Sequence, residues 1–283
     1  MSAATLVAAD TLPEADLHAA TVAAFADYLA GPFQMTLEQF PSFIARQGVD
    51  LARSRVALHD GAIGAFAFVC PRPEVGRWRL GAMGALPAAR GTGAAPALLD
   101  DFIVRARSEG LPWVELECFA ANERALRLYR GRGFEVVAAL NGWKLPDDAT
   151  AGDRARELSN DMRAVDREQG LAWLAEADRR IDWLPFPNSA RCMAAQVRPL
   201  SFWQRGGAQV VFSVVDGTPA QIHSLVDADP ALRDAEALAR AVAAAHPGVF
   251  APPILRDDLG GAALRRAGFV PHLMSQVLMK RKL

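Results

Sequence analysis

The stretch Leu86-Pro87-Ala88-Ala89-Arg90-Gly91-Thr92-Gly93-Ala94-Ala95-Pro96-Ala97-Leu98-Leu99 decides how this chain is read. It lies between a strand-like segment and a helical one. Glycines at 91 and 93 let the backbone turn tightly and approach a ligand. The first N–H groups of the following helix have no partner within it, and the helix dipole favours an anion there. Pro96 costs little so early in a helix, because its missing N–H would be unbonded there. The turn reads as a pyrophosphate cradle, to which the Arg90 side chain could add charge-assisted bonds. It does not fit the phosphate loop Gly-x-x-x-x-Gly-Lys-[Ser/Thr]. It also lacks the third glycine of the dinucleotide fingerprint, and the strands before it look antiparallel.

Working outward, residues 4–8 read as a strand. A helix is expected from Leu12-Pro13-Glu14 through Tyr28-Leu29, stopping near Gly31-Pro32. A second runs from Thr36, where Thr36-Leu37-Glu38-Gln39 resembles a capping box, to near Gly48. Residues 54–58 and 62–69 flank His59-Asp60-Gly61 and read as a β-hairpin. Arg77 to Leu86 adds a third strand. After the turn come a helix to about Ser108, the strand Trp113–Cys118, a helix from Asn122 to Arg130, and a strand or strand pair from Phe134 to Lys144. Pro146 to about Asp153 reads as a linker. Beyond it, residues 154–180 look helical. Strands are expected near 191–198, 208–215 and 220–226, then a helix at 230–245, a strand at 249–255, a short helix at 257–266 and a strand at 270–280.

The chain has 283 residues, 51% of them hydrophobic and 22% charged, enough for two globular cores. Its net charge of −1 gives no field that would favour nucleic acid or an acidic membrane. No apolar run is long enough to span a bilayer, and the N-terminus lacks the basic and apolar parts of a signal peptide. A cytoplasmic protein is the default expectation. Cys70, Cys118 and Cys192 are scattered, and the five histidines form no ligand pair, so no metal site is expected.

Two spaced patterns carry a resemblance. Arg90-Gly-x-Gly93-x-Ala95 resembles the Arg/Gln-x-x-Gly-x-Gly/Ala signature of the GNAT N-acetyltransferase superfamily. Asn122-x-x-Ala125-x-x-Leu128-Tyr129-x-x-x-Gly133-Phe134 resembles the second signature of that family. The resemblance covers roughly residues 4–145. It implies an acyl-CoA N-acyltransferase fold, an α/β architecture with a mixed, mostly antiparallel sheet flanked by helices. It implies acetyl-CoA as co-substrate. The strand end at Met83 to Leu86, including Ala85, would splay from its neighbour and pair with the pantetheine arm. Arg90, Gly91, Thr92, Gly93, Ala94 and Ala95 would hold the pyrophosphate through main-chain N–H groups. Asn122 would bond the pantetheine or the loop backbone. Tyr129 would protonate the leaving thiolate; the alternative is a core tyrosine beside Leu126 and Leu128, and its place in the motif favours the catalytic role. Tyr28, Phe33 and Met35 could line an acceptor pocket or simply pack the first helices on the sheet. The general base is not readable: Glu115 and Glu117 share a strand face that points to the cleft or to solvent, and Glu74 and His59 are unsupported.

The two halves rhyme. Asn122–Phe134 lies over Asp257–Phe269 at an offset of 135 residues without gaps, which suggests a diverged duplication. The expected domains are 1–146, catalytic, and 154–283, GNAT-like but degenerate. The second half has no Gly-x-Gly; it carries Asp227, Asp229 and Asp234 in the equivalent stretch, Leu264 at the Tyr129 position and Asp257 at the Asn122 position. Trp183, Phe186, Phe202 and Trp203 are expected to pack, and Lys280-Arg281-Lys282 to be a solvated end. The expected activity is acetyl transfer from acetyl-CoA to an amine by direct attack. A non-catalytic acetyl-CoA-binding module and a transferase of longer acyl groups are the alternatives. A small-molecule or peptide amine is the expected partner, without nucleic acid or membrane. The oligomeric state is open, a homodimer being compatible.

Overall fold

The computed structural model describes residues 4–146 and 161–283, so the expected linker after Pro146 and the start of the expected helix at 154 lie outside the described residues. The chain divides into two compact units. The first comprises Met1–Cys118, Asn122–Val136 and Met279–Leu283; the second comprises Phe119–Ala121 and Val137–Leu278.

In the first unit, β1 (Thr5–Ala8), β2 (Asp50–His59), β3 (Ala62–Arg72) and β4 (Arg77–Ala85) pair in that order, all antiparallel. The β2–β3 hairpin turns at Asp60 and Gly61, with φ of 49° and 81°, the pair of positive values that a tight Asp-Gly turn requires. Helices α1 (Glu14–Ala24) and α2 (Phe40–Arg46) cover one side, where Leu17, Ala20 and Phe40 meet Phe66 and Phe68 of β3 in one core. The capping box at Thr36 forms with Gln39. Helix α1 ends sooner than its sequence suggests: Phe25 is its C-cap, and residues 26–36 run on as a loop.

Helix α3 (Ala94–Ser108) buries Leu98, Leu99, Phe102, Ile103 and Ala106, the spacing of one helical stripe. The parallel strand β5 (Trp113–Phe119) follows, then α4 (Glu123–Arg130), whose N-cap Asn122 accepts from the Ala125 N–H at 3.1 Å.

The second unit repeats this succession. Strand β6 (Glu135–Lys144) pairs with β11 (Phe250–Arg256). Strands β7 (Arg163–Val165), β8 (Ser201–Arg205), β9 (Ala208–Ser213) and β10 (Gln221–Asp227) form an antiparallel ladder. Helices α5 (Arg167–Arg180), α6 (Ala190–Ala194), α7 (Arg233–Ala245) and α8 (Ala262–Arg266) flank it, with a π-helical turn at Asp257–Gly261 before α8. The last strand, β12 (Val270–Lys282), neighbours β6 in this unit, while its end, Met279–Lys282, belongs to the first unit beside β5.

Three expectations are corrected. The segment expected as a strand near 191–198 begins with α6, because the Ser189 hydroxyl caps it by accepting from the Cys192 N–H at 3.2 Å. The described part of the expected helix 154–180 opens with β7 and restarts at Asp166, which caps α5 through the Gln169 N–H at 2.8 Å. Lys280-Arg281-Lys282 is not a loose end: it belongs to β12, and the Lys280 ammonium lies over the Trp113 ring at 5.1 Å. The aromatic residues of the second unit pack as expected, with Phe186 and Phe202 buried and Trp203 edge-on to Phe212.

One close approach shapes the first unit. A Cβ on Gly84 would stand 2.9 Å from the Ala24 Cβ and 3.1 Å from Phe66 Cζ, so α1 sits directly on β4 there. Gly84→Val is expected to cost about 1–3 kcal/mol through overpacking. A lowered melting temperature reads this out; an unchanged one would mean that α1 does not rest on Gly84.

Candidate active site

Strands β4 and β5 pair in parallel only from Arg77↔Trp113 to Leu80↔Leu116. The cause lies on the other edge of β4. Phe68 of β3 pairs with Ala82 and the next residue, Val69, with Leu80, so Gly81 is the extra residue of a β-bulge. The bulge bends β4, and no β4 residue beyond Leu80 pairs with β5. The expected splay at Met83–Leu86 therefore has a visible origin. Within it, the Leu86 N–H donates to Gly64 O at 2.9 Å and the Ala85 carbonyl accepts from Arg90 Nε at 3.3 Å.

The splay opens towards the glycine turn. Gly91 and Gly93 have φ of 83° and 91°, values that a side chain would strain, and Gly93 is the N-cap of α3. The Thr92 hydroxyl and N–H both donate to the Ala89 carbonyl, tying the turn to itself. Among the described residues, the N–H groups of Gly91, Gly93, Ala94 and Ala95 have no partner. They gather at a helix N-terminus, the setting that favours an anion.

Arg90 does not aim its side chain into this cradle. Its guanidinium grips the Asp27 carboxylate with two hydrogen bonds of 2.5 and 2.6 Å and donates to the Ala24 carbonyl at 3.2 Å. The hydrogen bond from Arg90 holds the Asp27 carboxyl below its usual range.

Around the end of β5 four polar side chains, those of Tyr28, Cys118, Asn122 and Tyr129, converge. The Asn122 side chain hydrogen-bonds the Tyr28 hydroxyl, while burial, with Cys118 nearby, raises Tyr28 above the usual phenol range. Burial pushes the Cys118 thiol up to about 11. Tyr129, on α4, is 7% exposed; burial, then Cys118 and Tyr28, push its hydroxyl far above the usual value. It keeps its proton throughout the neutral range. Its hydroxyl has no hydrogen-bond partner among the described residues. Phe33 and Met35 pack against the core under α1 and α2; the Met35 carbonyl pairs with the His18 ring at 2.7 Å.

The β5 carboxylates are buried, not solvated. Glu115 is fully enclosed, 2.6 Å from Arg72 and 3.2 Å from Arg77. Glu117 meets Arg79 at 2.6 Å through Oε2, and Arg79 also donates to the Gln47 side chain. The other oxygen, Glu117 Oε1, is buried without a hydrogen-bond partner. Glu117 is the first β5 residue beyond the last β4 pair. Glu74 is occupied by Arg72 at 3.1 Å, and His59 sits at the hairpin, where its ring edge would meet a Cβ on Gly64. No cluster that could hold a metal ion is found among the described residues.

In the second unit the equivalent place is filled by the chain itself. Strands β10 and β11 share one parallel pair, Gln221↔Phe250. The Asp227 carboxylate accepts from Asp229 N–H at 2.9 Å and from Ala235 N–H, in the first turn of α7, at 3.1 Å. Leu264 is buried, and Asp257 accepts from Asn141 and pairs with Arg265.

This is the architecture of an acyltransferase of the GNAT type. Residues 22–134 match the model of the acetyltransferase (GNAT) family. Over almost the whole chain the fold is that of a GCN5-related N-acetyltransferase from Sphaerobacter thermophilus, with 18% identity, 99% of this chain and 95% of that one covered, and a TM-score of 0.65. A putative acetyltransferase from Pyrococcus horikoshii is similar at 14% identity over 100% and 90% of the two chains, with a TM-score of 0.66. A GCN5-related N-acetyltransferase from Anabaena variabilis gives 14%, 98%, 72% and 0.66. No curated protein sequence matches the chain.

Removing Glu115 would take a shared carboxylate from two buried guanidinium groups, those of Arg72 and Arg77. Glu115→Ala is expected to destabilise the first unit by about 3–5 kcal/mol. Urea unfolding followed by tryptophan fluorescence measures it; a loss under ~1 kcal/mol would mean that the arginines find water instead.

Proposed function

We propose that the first unit transfers an acetyl group from acetyl-CoA to an amine by direct attack. The observation that carries this reading is the turn at Gly91–Ala95: four N–H groups at the head of α3 without a partner among the described residues, after a strand end that is unpaired with β5 beyond Leu80. Such a turn suits a pyrophosphate, and an unpaired strand edge suits the amide groups of a pantetheine arm. In the second unit the Ala235 N–H, in the first turn of α7, is taken by Asp227, which supports a single acyl-CoA site in the first unit.

The chemistry needs a neutral amine, a donor for the oxyanion and a proton for sulfur. Nitrogen bonds to the thioester carbon, the carbon–sulfur bond breaks, one proton leaves nitrogen and one reaches sulfur. Tyr129 suits the last task, since burial keeps it protonated and no group among the described residues competes for its hydroxyl. Glu117 suits the proton from nitrogen: Arg79 fixes its carboxylate, and its second oxygen is left unpartnered at the start of the splay. Cys118 stays a thiol at neutral pH, which argues against an acetyl-cysteine intermediate.

Acetyl-CoA at ~100 times its dissociation constant should stabilise the protein by about 2.7 kcal/mol, and Gly93→Trp should abolish the shift. Absence of a shift in the wild type at saturating ligand would sink the reading. With an amine found by screening, Tyr129→Phe and Glu117→Gln should each lower kcat by ~10²–10⁴-fold while acetyl-CoA affinity stays within ~3-fold. Undiminished turnover in Tyr129→Phe would take that residue out of the mechanism.

A further inference from the structure

The notable feature of Arg90 is the direction of its side chain. Standing in the turn that would hold the pyrophosphate, it reaches back to the end of α1. Its planar fork matches both oxygens of Asp27, a geometry that lysine cannot copy. The same guanidinium takes the Ala24 carbonyl, one of the acceptors that the end of α1 leaves over, and Nε takes the Ala85 carbonyl at the end of β4. One side chain thus joins three segments: β4, the glycine turn and the loop after α1.

The loop has few other anchors. Its own backbone bonds are local, from Tyr28 and Phe33 to the Phe25 carbonyl and from Gly31 to Tyr28. Phe25 and Phe33 make edge-on aromatic contacts in the core, and His18 holds Met35. The residue after Asp27 is Tyr28, which meets Asn122, the N-cap of the helix that carries Tyr129. A chain of contacts therefore runs from the turn through Arg90, Asp27, Tyr28 and Asn122 to α4.

We infer that Asp27 and Arg90 are positioning residues that couple the acyl-CoA turn to the loop at residues 25–36, so that filling the turn orders this loop beside Tyr129. The pyrophosphate is then held by main-chain N–H groups alone, and the Arg90 guanidinium stays on Asp27 when acyl-CoA is bound. This rests on the acetyl-CoA reading for the liganded state, but the coupling itself exists in the free protein.

Amide hydrogen exchange on the full chain, with and without saturating acetyl-CoA, tests it. In the wild type, acetyl-CoA should protect both the turn at 91–97 and the loop at 25–36. In Asp27→Asn the turn should stay protected, with acetyl-CoA affinity within ~3-fold, while protection of the loop falls by about 5-fold or more. Asp27→Glu should restore it and Arg90→Lys should not. In the free protein, Asp27→Asn and Arg90→Gln should each raise exchange in the loop, and the double variant should raise it no further than Arg90→Gln alone, because the two side chains share one contact and Arg90 also holds the Ala24 and Ala85 carbonyls. Loop exchange unchanged in Asp27→Asn overturns the inference. So does a ~20-fold or greater loss of acetyl-CoA affinity in Arg90→Gln that Asp27→Asn does not share, since Arg90 would then be a ligand of the pyrophosphate. If acetyl-CoA does not bind the wild type, the proposed function falls, and the free-protein rates alone decide for or against the coupling.

Discussion

Two parallel strands that must be joined at one end and apart at the other set the terms for the first unit. At the joined end, Arg72 of β3, Arg77 and Arg79 of β4, and Glu115 and Glu117 of β5 form ion pairs where water is largely excluded. Charges so buried are tolerated only when each has its counter-charge in good geometry. The constraint runs both ways: the pairs need the strands in register, and the register is set where the pairs are. At the open end, the bulge at Gly81 bends β4 away, and the turn at Gly91–Gly93 brings the head of α3 over the gap. Glu117 stands at the boundary, with one oxygen spent on the clamp and the other facing no partner.

The second unit shows what the same frame becomes when its anion cradle is filled from within. Its β10–α7–β11 succession repeats β4–α3–β5, and the parallel strands again barely pair. Asp227 supplies a carboxylate to the first turn of α7, in the manner of an N-cap reached from a strand. A buried carboxylate there satisfies the helix end and repels a phosphate at once. Gly206 lies so close to Asp234 that a Cβ on it would fall 2.0 Å from a carboxylate oxygen, which closes this end further. A helix N-terminus needs an acceptor whether or not it meets a ligand, and in this stretch Asp227 is one.

Much of this was legible in the chain. The glycine turn, the helix after it, the Asp-Gly hairpin and the Asn122 cap are local, and each follows from the backbone needs of a few neighbouring residues. What escaped depends on partners far away in sequence. Glu115 and Glu117 alternate on a strand like solvent-facing residues; only the arginines 38 and 43 positions earlier make them interior. Arg90 reads as a phosphate ligand because the turn is where anions go, and nothing near it announces Asp27, 63 positions away. The end of α1 shifts for a related reason: residues 26–36 lack strong helix breakers before Gly31, yet the tertiary bonds at Ala24 and Asp27 end the helix early. The bulge at Gly81 is invisible for the same reason, since glycine in a strand is ambiguous until its partner strand is known.

The burial of Tyr129 follows from this arrangement and bears on what the residue can do. A phenol in a dry site is a poor acid in the absence of a partner, because its anion would be unsolvated. That penalty falls when the group receiving the proton is itself an anion held in the same dry site, for then one buried charge replaces another. A thiolate leaving a thioester is such an acceptor, whereas water is not. In the proposed reaction, enclosing the tyrosine would cost acidity toward solvent and preserve it toward sulfur, and burial of the Cys118 thiol beside it disfavours a competing thiolate there. The helix cap at Asn122, its contact to Tyr28 and the grip of Arg90 on Asp27 lie around this one hydroxyl, so the proposed transfer would draw on the loop after α1 for position rather than for chemistry.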